Sequence, residues 1–196
     1  MRRLSFLLAL SAASALAAPT KYTVQTQLDN LNVMTVESET DLENFTGRTS
    51  AVSGTVTFDP AAKTGSANVV VNGKTISTGV AGRDGHMRGP GWLNFDAVPN
   101  VRFQTTAVKW LKDDTYEVRG NLTLNGVTKP LTTTATVKLT SANDTTRSMK
   151  LGGDALAVTT KFSIKLSDYG VTNRTITAGR VSNVLPITLK FIASNK

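Results

Sequence analysis

Residues Thr115–Leu139 read TYEVRGNLTLNGVTKPLTTTATVKL, and their alternation sets the architecture. Tyr116, Val118, Gly120, Leu122 and Leu124 alternate with Thr115, Glu117, Arg119, Asn121 and Thr123. Leu131, Thr133, Ala135, Val137 and Leu139 then alternate with Thr132, Thr134, Thr136 and Lys138. Successive side chains on a strand point to opposite faces, so each run carries one apolar and one polar face, the pattern of half-buried antiparallel strands. Asn125-Gly126 is a hairpin-type dipeptide, expected just inside a longer Gly126–Pro130 connection.

The same period of two extends in both directions. Thr55 to Phe58 alternates, as do Leu156, Val158, Thr160, Phe162, Ile164 and Leu166, and finally Leu185, Ile187, Leu189 and Phe191. Turn chemistry separates the runs at Asp59-Pro60, Asn72-Gly73, Asp113-Asp114 and Gly152-Gly153. Strands are expected at about 20–26, 31–37, 48–59, 65–72, 100–110, 115–125, 130–140, 154–167 and 183–193. Helix signals are short: one turn over Asp41–Phe45, and another over Asp84–Leu93 with Asp84 as its cap. Long strands with one apolar face each pack as a sandwich or close into a barrel, and closure removes exposed edges. The fold class expected is therefore all-β: an antiparallel up-and-down barrel of about eight strands with a short helical insert. An outer-membrane barrel would need aromatic girdles at both interfaces, and the chain has twelve aromatics, several of them in the central insert.

Arg2-Arg3, the apolar run Leu4–Leu16 and the small residues Ala15-Leu16-Ala17 form an export signal, with residues 1–17 removed and 18–196 forming one domain. The run is too short to span a bilayer. The expected location is the periplasm or the exterior of a bacterium. There is no cysteine, so the domain must be stable without disulfides and cannot hold a thiolate metal site. The formal charge is +8, or +6 without the two signal arginines, and it is scattered rather than blocked. That charge suits anionic headgroups or phosphates, including peripheral membrane contact, and equally serves simple solubility. Nucleic acid is not an expected partner for an exported chain.

The strand rhythm breaks at Gly82–Phe103, GRDGHMRGPGWLNFDAVPNVRF, which holds the single histidine, His86. Inserts of this kind cap, gate or bind. His86 beside Asp84 is a candidate base, but no serine sits in a strained elbow nearby, and pinning of loop backbone groups is the favoured role. Arg83, Arg88 and Lys74 either form a cationic rim for a phosphate or pyrophosphate, or Arg83 pairs with Asp84 or Asp96 to hold the insert shut. Trp92, Phe95 and Phe103 either plug the barrel or line a cavity. Asp29, Glu37, Glu39, Asp41 and Glu43 follow no calcium-loop spacing and are read as solvating a surface turn.

Several motifs together resemble the YceI-like family. They are Phe58-Asp59-Pro60, Ile76-Ser77-Thr78-Gly79, Arg83-Asp84-x-His86-Met87-Arg88, Trp92-Leu93, Val98–Phe103, Gly120–Pro130 and Leu166–Val171. Two departures stand out: Asn30-Leu31-Asn32-Val33 replaces a His-Ser pair, and Leu166-Ser167 stands where many members have an arginine. The resemblance implies a lipocalin-like barrel whose apolar lumen holds a long isoprenoid, and binding or carriage rather than catalysis. It implies no cofactor beyond a bound isoprenoid such as a polyprenyl pyrophosphate or a quinone. Ligand contacts are expected from Phe45, Phe58, Ile76, Arg83, His86, Met87, Arg88, Trp92, Phe95, Phe103, Tyr116, Leu122, Leu124, Phe162 and Ile164. The expected partner is an apolar lipid, and the expected state a monomer or homodimer. Two other readings remain open: a structural or stress-protective envelope protein with a filled core, and a hydrolase using His86.

Overall fold

A computed structural model describes residues 18–196; the expected export signal, residues 1–17, lies outside the described residues. The alternating runs become ten strands: β1 (Thr20–Val24), β2 (Val33–Ser38), β3 (Phe45–Thr49), β4 (Val52–Asp59), β5 (Thr64–Asn72), β6 (Asn100–Lys112), β7 (Thr115–Leu124), β8 (Val127–Thr140), β9 (Ala155–Lys165) and β10 (Val184–Ser194). All pairings are antiparallel and join neighbours in an up-and-down meander, β4-β5-β6-β7-β8-β9-β10. The ring closes because β10 pairs with both β1 and β2 along one edge, while β4 pairs with β1 and β3 with β2. Thus β1/β2 and β3/β4 are two broken staves, and the barrel has eight staves.

Each break has a local cause. Between β1 and β2 the chain turns on itself, and the buried Asn32 fills the missing rung. Its side-chain amide donates to the Gln25 carbonyl at 2.8 Å, and its oxygen accepts from the Ile192 N–H of β10 at 3.0 Å. One side chain thereby does what a strand backbone would do. The expected single strand 48–59 is instead split at Ser50-Ala51, where the Val52 N–H donates to the Ser50 carbonyl. Residues Asp41–Phe45 form no helix, because Phe45 opens β3 against Ser38.

Three further expectations are corrected. Asn125 and Gly126 both have positive φ, 51° and 75°, and Leu124 pairs directly with Val127, so the turn has two residues and no longer connection follows it. Asn72-Gly73 is not a hairpin: the Asn72 side chain caps a 3-10 turn over Gly73–Thr75. The insert helix α1 spans Ala81–Arg88 and starts three residues before Asp84, which lies inside it. Two short helices were not expected, α2 (Asp144–Ser148) and α3 (Arg174–Thr177), nor was the 3-10 turn Leu166–Tyr169.

Three of the longer connections gather at one end. The loop between β2 and β3, the insert between β5 and β6, and the segment between β9 and β10 all sit there, where Arg48 of β3 bridges to Ser77. At the other end Phe58 of β4 and Tyr116 of β7 meet edge to face, 5.7 Å between centroids, and close the barrel from inside.

Candidate functional site

The inward faces of the staves do not meet. They enclose a cavity of about 650 Å³ that runs from the Phe58–Tyr116 floor to the insert. That is within the size of small-molecule sites, roughly 300–1,000 Å³. Its walls are apolar and mostly aliphatic: Val56, Val69 and Val71 on one side, Val118, Leu122, Leu131 and Ala135 on another, and Val158, Ile164 and Ile187 with the aromatic Phe162 and Phe191 on a third. Small side chains such as Ala67, Ala135 and the valines leave the axis open. Thr133 and Thr160 also face the lumen, but their hydroxyls donate to the carbonyls of Lys161 and Thr134 at 2.9 and 3.0 Å, so both protons are used within the wall. Burial pushes the Tyr116 phenol up, and the carboxylate of Asp114 adds to this, so the floor stays uncharged at neutral pH.

Near the floor the wall has a fissure. The β5–β6 ladder stops at Asn68–Gln104, and beyond it the Ala67 N–H donates to the Thr105 hydroxyl at 3.0 Å. The outward-facing Thr57 of β4 and Ser66 of β5 border the cavity there.

The insert forms the roof, and Asp84 holds it. Its two oxygens accept from the Ser77 hydroxyl at 2.7 Å, the Thr78 N–H at 2.8 Å and the Thr78 hydroxyl at 2.7 Å. Desolvation pushes this carboxyl up, but those hydrogen bonds, with help from Arg88, outweigh it and hold the group below its ordinary range. A carboxyl depressed on folding stabilises the fold above its unfolded value, about pH 4, and stops doing so as the pH falls through the folded value. Asp84→Ala is expected to cost about 2–3 kcal/mol near neutral pH, since charge-assisted hydrogen bonds are lost. Thermal melts from pH 7 down to pH 3 check this: the gap between wild type and variant should narrow towards acid.

Thirteen of the fifteen expected contact residues border the cavity: Phe45, Phe58, Ile76, Arg83, His86, Met87, Trp92, Phe103, Tyr116, Leu122, Leu124, Phe162 and Ile164. Arg88 and Phe95 do not. Phe95 is fully buried against Gly73, where an added Cβ would come within 2.3 Å of its ring, so it anchors the roof. Phe103 lies across Gly120, where a Cβ would stand 2.4 Å from the ring, so the absent side chain makes room for an aromatic wall. The His86 carbonyl accepts from the Gly89 N–H at 3.1 Å, but its side chain makes no hydrogen bond among the described residues, so the imidazole does not pin the loop backbone. Arg83 pairs with neither Asp84 nor Asp96. Its guanidinium lies over the Phe45 ring at 4.1 Å and donates to Glu43 Oε1 at 3.2 Å, while Lys74 reaches Asp96 at 4.0 Å.

Glu43 and Arg180 were missing from the expected set. Glu43 Oε2 lies 3.4 Å from Arg180 Nε, so one carboxylate joins two arginines at the mouth, and all three border the cavity. The residues come from three connections separated by 40 and 97 positions (83 − 43 and 180 − 83), and no local pattern links them.

A closed eight-stave meander with a hollow apolar interior, a roof and a charged rim defines a lipocalin-like barrel. A family model described as "YceI-like domain" matches residues 22–193, and the chain belongs to that family. A UPF0312 protein of Yersinia pestis (strain Pestoides F) is 42% identical over 123 residues, and the match spans 61% of this chain and 59% of that protein. Protein YceI of Salmonella arizonae is 38% identical over 122 residues, with the same shares covered. Among solved structures, BcnA of Burkholderia cenocepacia superposes with a TM-score of 0.73 at 21% identity, covering 87% of this chain and 99% of that one. A polyisoprenoid binding domain from Saccharophagus degradans, described as implicated in plant cell wall breakdown, gives 0.64 at 17% identity, covering 90% and 98%. At such identities these two structures establish the shared fold.

Proposed function

We propose that this protein is an exported carrier that encloses the tail of a polyisoprenoid, or another long apolar chain, in its lumen. The observation that carries the reading is the apolar cavity of about 650 Å³, which a filled-core envelope protein would not have. The energetics support it. Each buried methylene contributes about 0.8 kcal/mol, so a tail of several prenyl units exceeds the roughly 4–15 kcal/mol cost of association. The floor of Phe58 and Tyr116 receives the end of the tail, and the polar head stays at the mouth near Arg83, His86 and Arg180. A head such as a quinone or a prenyl phosphate is cargo rather than a cofactor. The family membership and the isoprenoid-binding description of the Saccharophagus domain point the same way.

Binding rather than catalysis is supported by His86, whose side chain borders the cavity with no hydrogen-bonded partner among the described residues to orient it. The amino-terminal segment supports export to the periplasm or beyond, with loading at a membrane surface. The test is direct. Protein purified from its bacterial host and extracted into organic solvent should yield an isoprenoid or another long-chain lipid by mass spectrometry. Protein that yields none, and that fails to take up geranylgeraniol when it is added, would remove the proposal.

A further inference from the structure

The Arg83–Glu43–Arg180 cluster carries an inference about the ligand's head, and it rests on the carrier reading above. Both oxygens of Glu43 are engaged, one by each guanidinium, at 3.2 and 3.4 Å. Arg83 is further fixed against the Phe45 ring, 4.1 Å away. The cluster ties three separate pieces of the rim together: the loop between β2 and β3, helix α1, and the segment after α3. It also borders the lumen, so a head emerging between α1 and the β2–β3 loop meets it first.

We infer that Glu43 is a tethered anion that sets head-group selectivity, so that the mouth favours chains with an uncharged polar head over chains with an anionic one. The physical reason is competition. A phosphate or carboxylate head seeks the same two guanidiniums that Glu43 already occupies, and it must displace a carboxylate held at high effective concentration by its own backbone. Until displaced, that carboxylate also repels the incoming anion. An uncharged hydroxyl or carbonyl head makes no such demand, and it leaves the three rim segments joined. Asp84, the other carboxylate of the roof, is buried and occupied by Ser77 and Thr78, so it does not share this role.

The test compares two probes with the same tail, geranylgeraniol and geranylgeranyl monophosphate, titrated against the exported protein carrying Trp110→Phe on its outer surface, so that the fluorescence of Trp92 at the cavity wall is the signal. The quantity read is the ratio of the two dissociation constants. Glu43→Gln should lower the phosphate-to-alcohol ratio about tenfold, as expected for a close, partly desolvated charge pair. Adding Arg83→Gln and Arg180→Gln to that variant should abolish the gain. Asp144→Asn removes the same charge on α2, outside the mouth cluster and beyond the cavity lining, and should leave the ratio where it was. A ratio that stays constant in Glu43→Gln while both probes bind overturns the inference and leaves the carrier reading standing. Equal shifts in Glu43→Gln and Asp144→Asn overturn it too, because net charge rather than the mouth would then decide. Failure of both probes to bind wild type removes the carrier reading itself.

Discussion

Replacing Val118 by tryptophan is expected to weaken ligand binding by about a hundredfold or more while the barrel remains folded. Val118 borders the lumen on β7, between Val108 of β6 and Thr133 of β8. An indole there projects into space that only a ligand tail would use. If it excludes about four methylenes of a bound chain, the loss is about 3 kcal/mol, more than a hundredfold in affinity. In a filled interior the same substitution would overpack the core and cost about 1–3 kcal/mol of stability. Geranylgeraniol titration and a thermal melt, run on one preparation, separate the two cases. Retained binding would place the tail somewhere other than the lumen, and a large drop in melting temperature would mean that the interior is not hollow.

The second large effect is on stability, and it falls at Gly54. This residue of β4 has φ of +131°, a region that side-chain-bearing residues rarely adopt, and it sits opposite Val69 of β5. A Cβ there would stand 2.1 Å from the Asn68 carbonyl oxygen and 2.9 Å from Val69 Cα, both backbone atoms that cannot swing aside. Gly54→Ala therefore meets conformational strain and a collision together. It should destabilise the protein by about 3–5 kcal/mol, towards the upper end for a single substitution. Denaturant unfolding measures this. Gly82→Ala, at an exposed position where a Cβ meets nothing, is the control and should change little. Unfolding curves that coincide for wild type and Gly54→Ala would mean that β4 does not pass β5 in this way.

Much of the barrel was legible because strand alternation is a local property. Tyr116, Leu122 and Leu124 turned inward as their spacing required, and so did Phe162 and Ile164 on β9. The breaks in β1/β2 and β3/β4 were harder to read, since Asn32 and Ser50-Ala51 act through partners on other staves. Asp84 is a typical helix cap by composition, yet it lies within α1, because Ser77 and Thr78 offer it three hydrogen bonds across the preceding turn. Phe95 looked like cavity wall and became an anchor, because Gly73 leaves a slot of its shape.

The amino-acid order alone determined that the chain is an antiparallel meander with one apolar face, since a period of two and its turn residues are written within a few positions of each other. Only the folded barrel decided that those apolar faces stand apart around an empty axis, and that Glu43 lies between Arg83 and Arg180. Interior volume depends on the curvature of all eight staves at once, and a charge cluster depends on which distant loops share a rim. Neither quantity is a sum over neighbours in the chain.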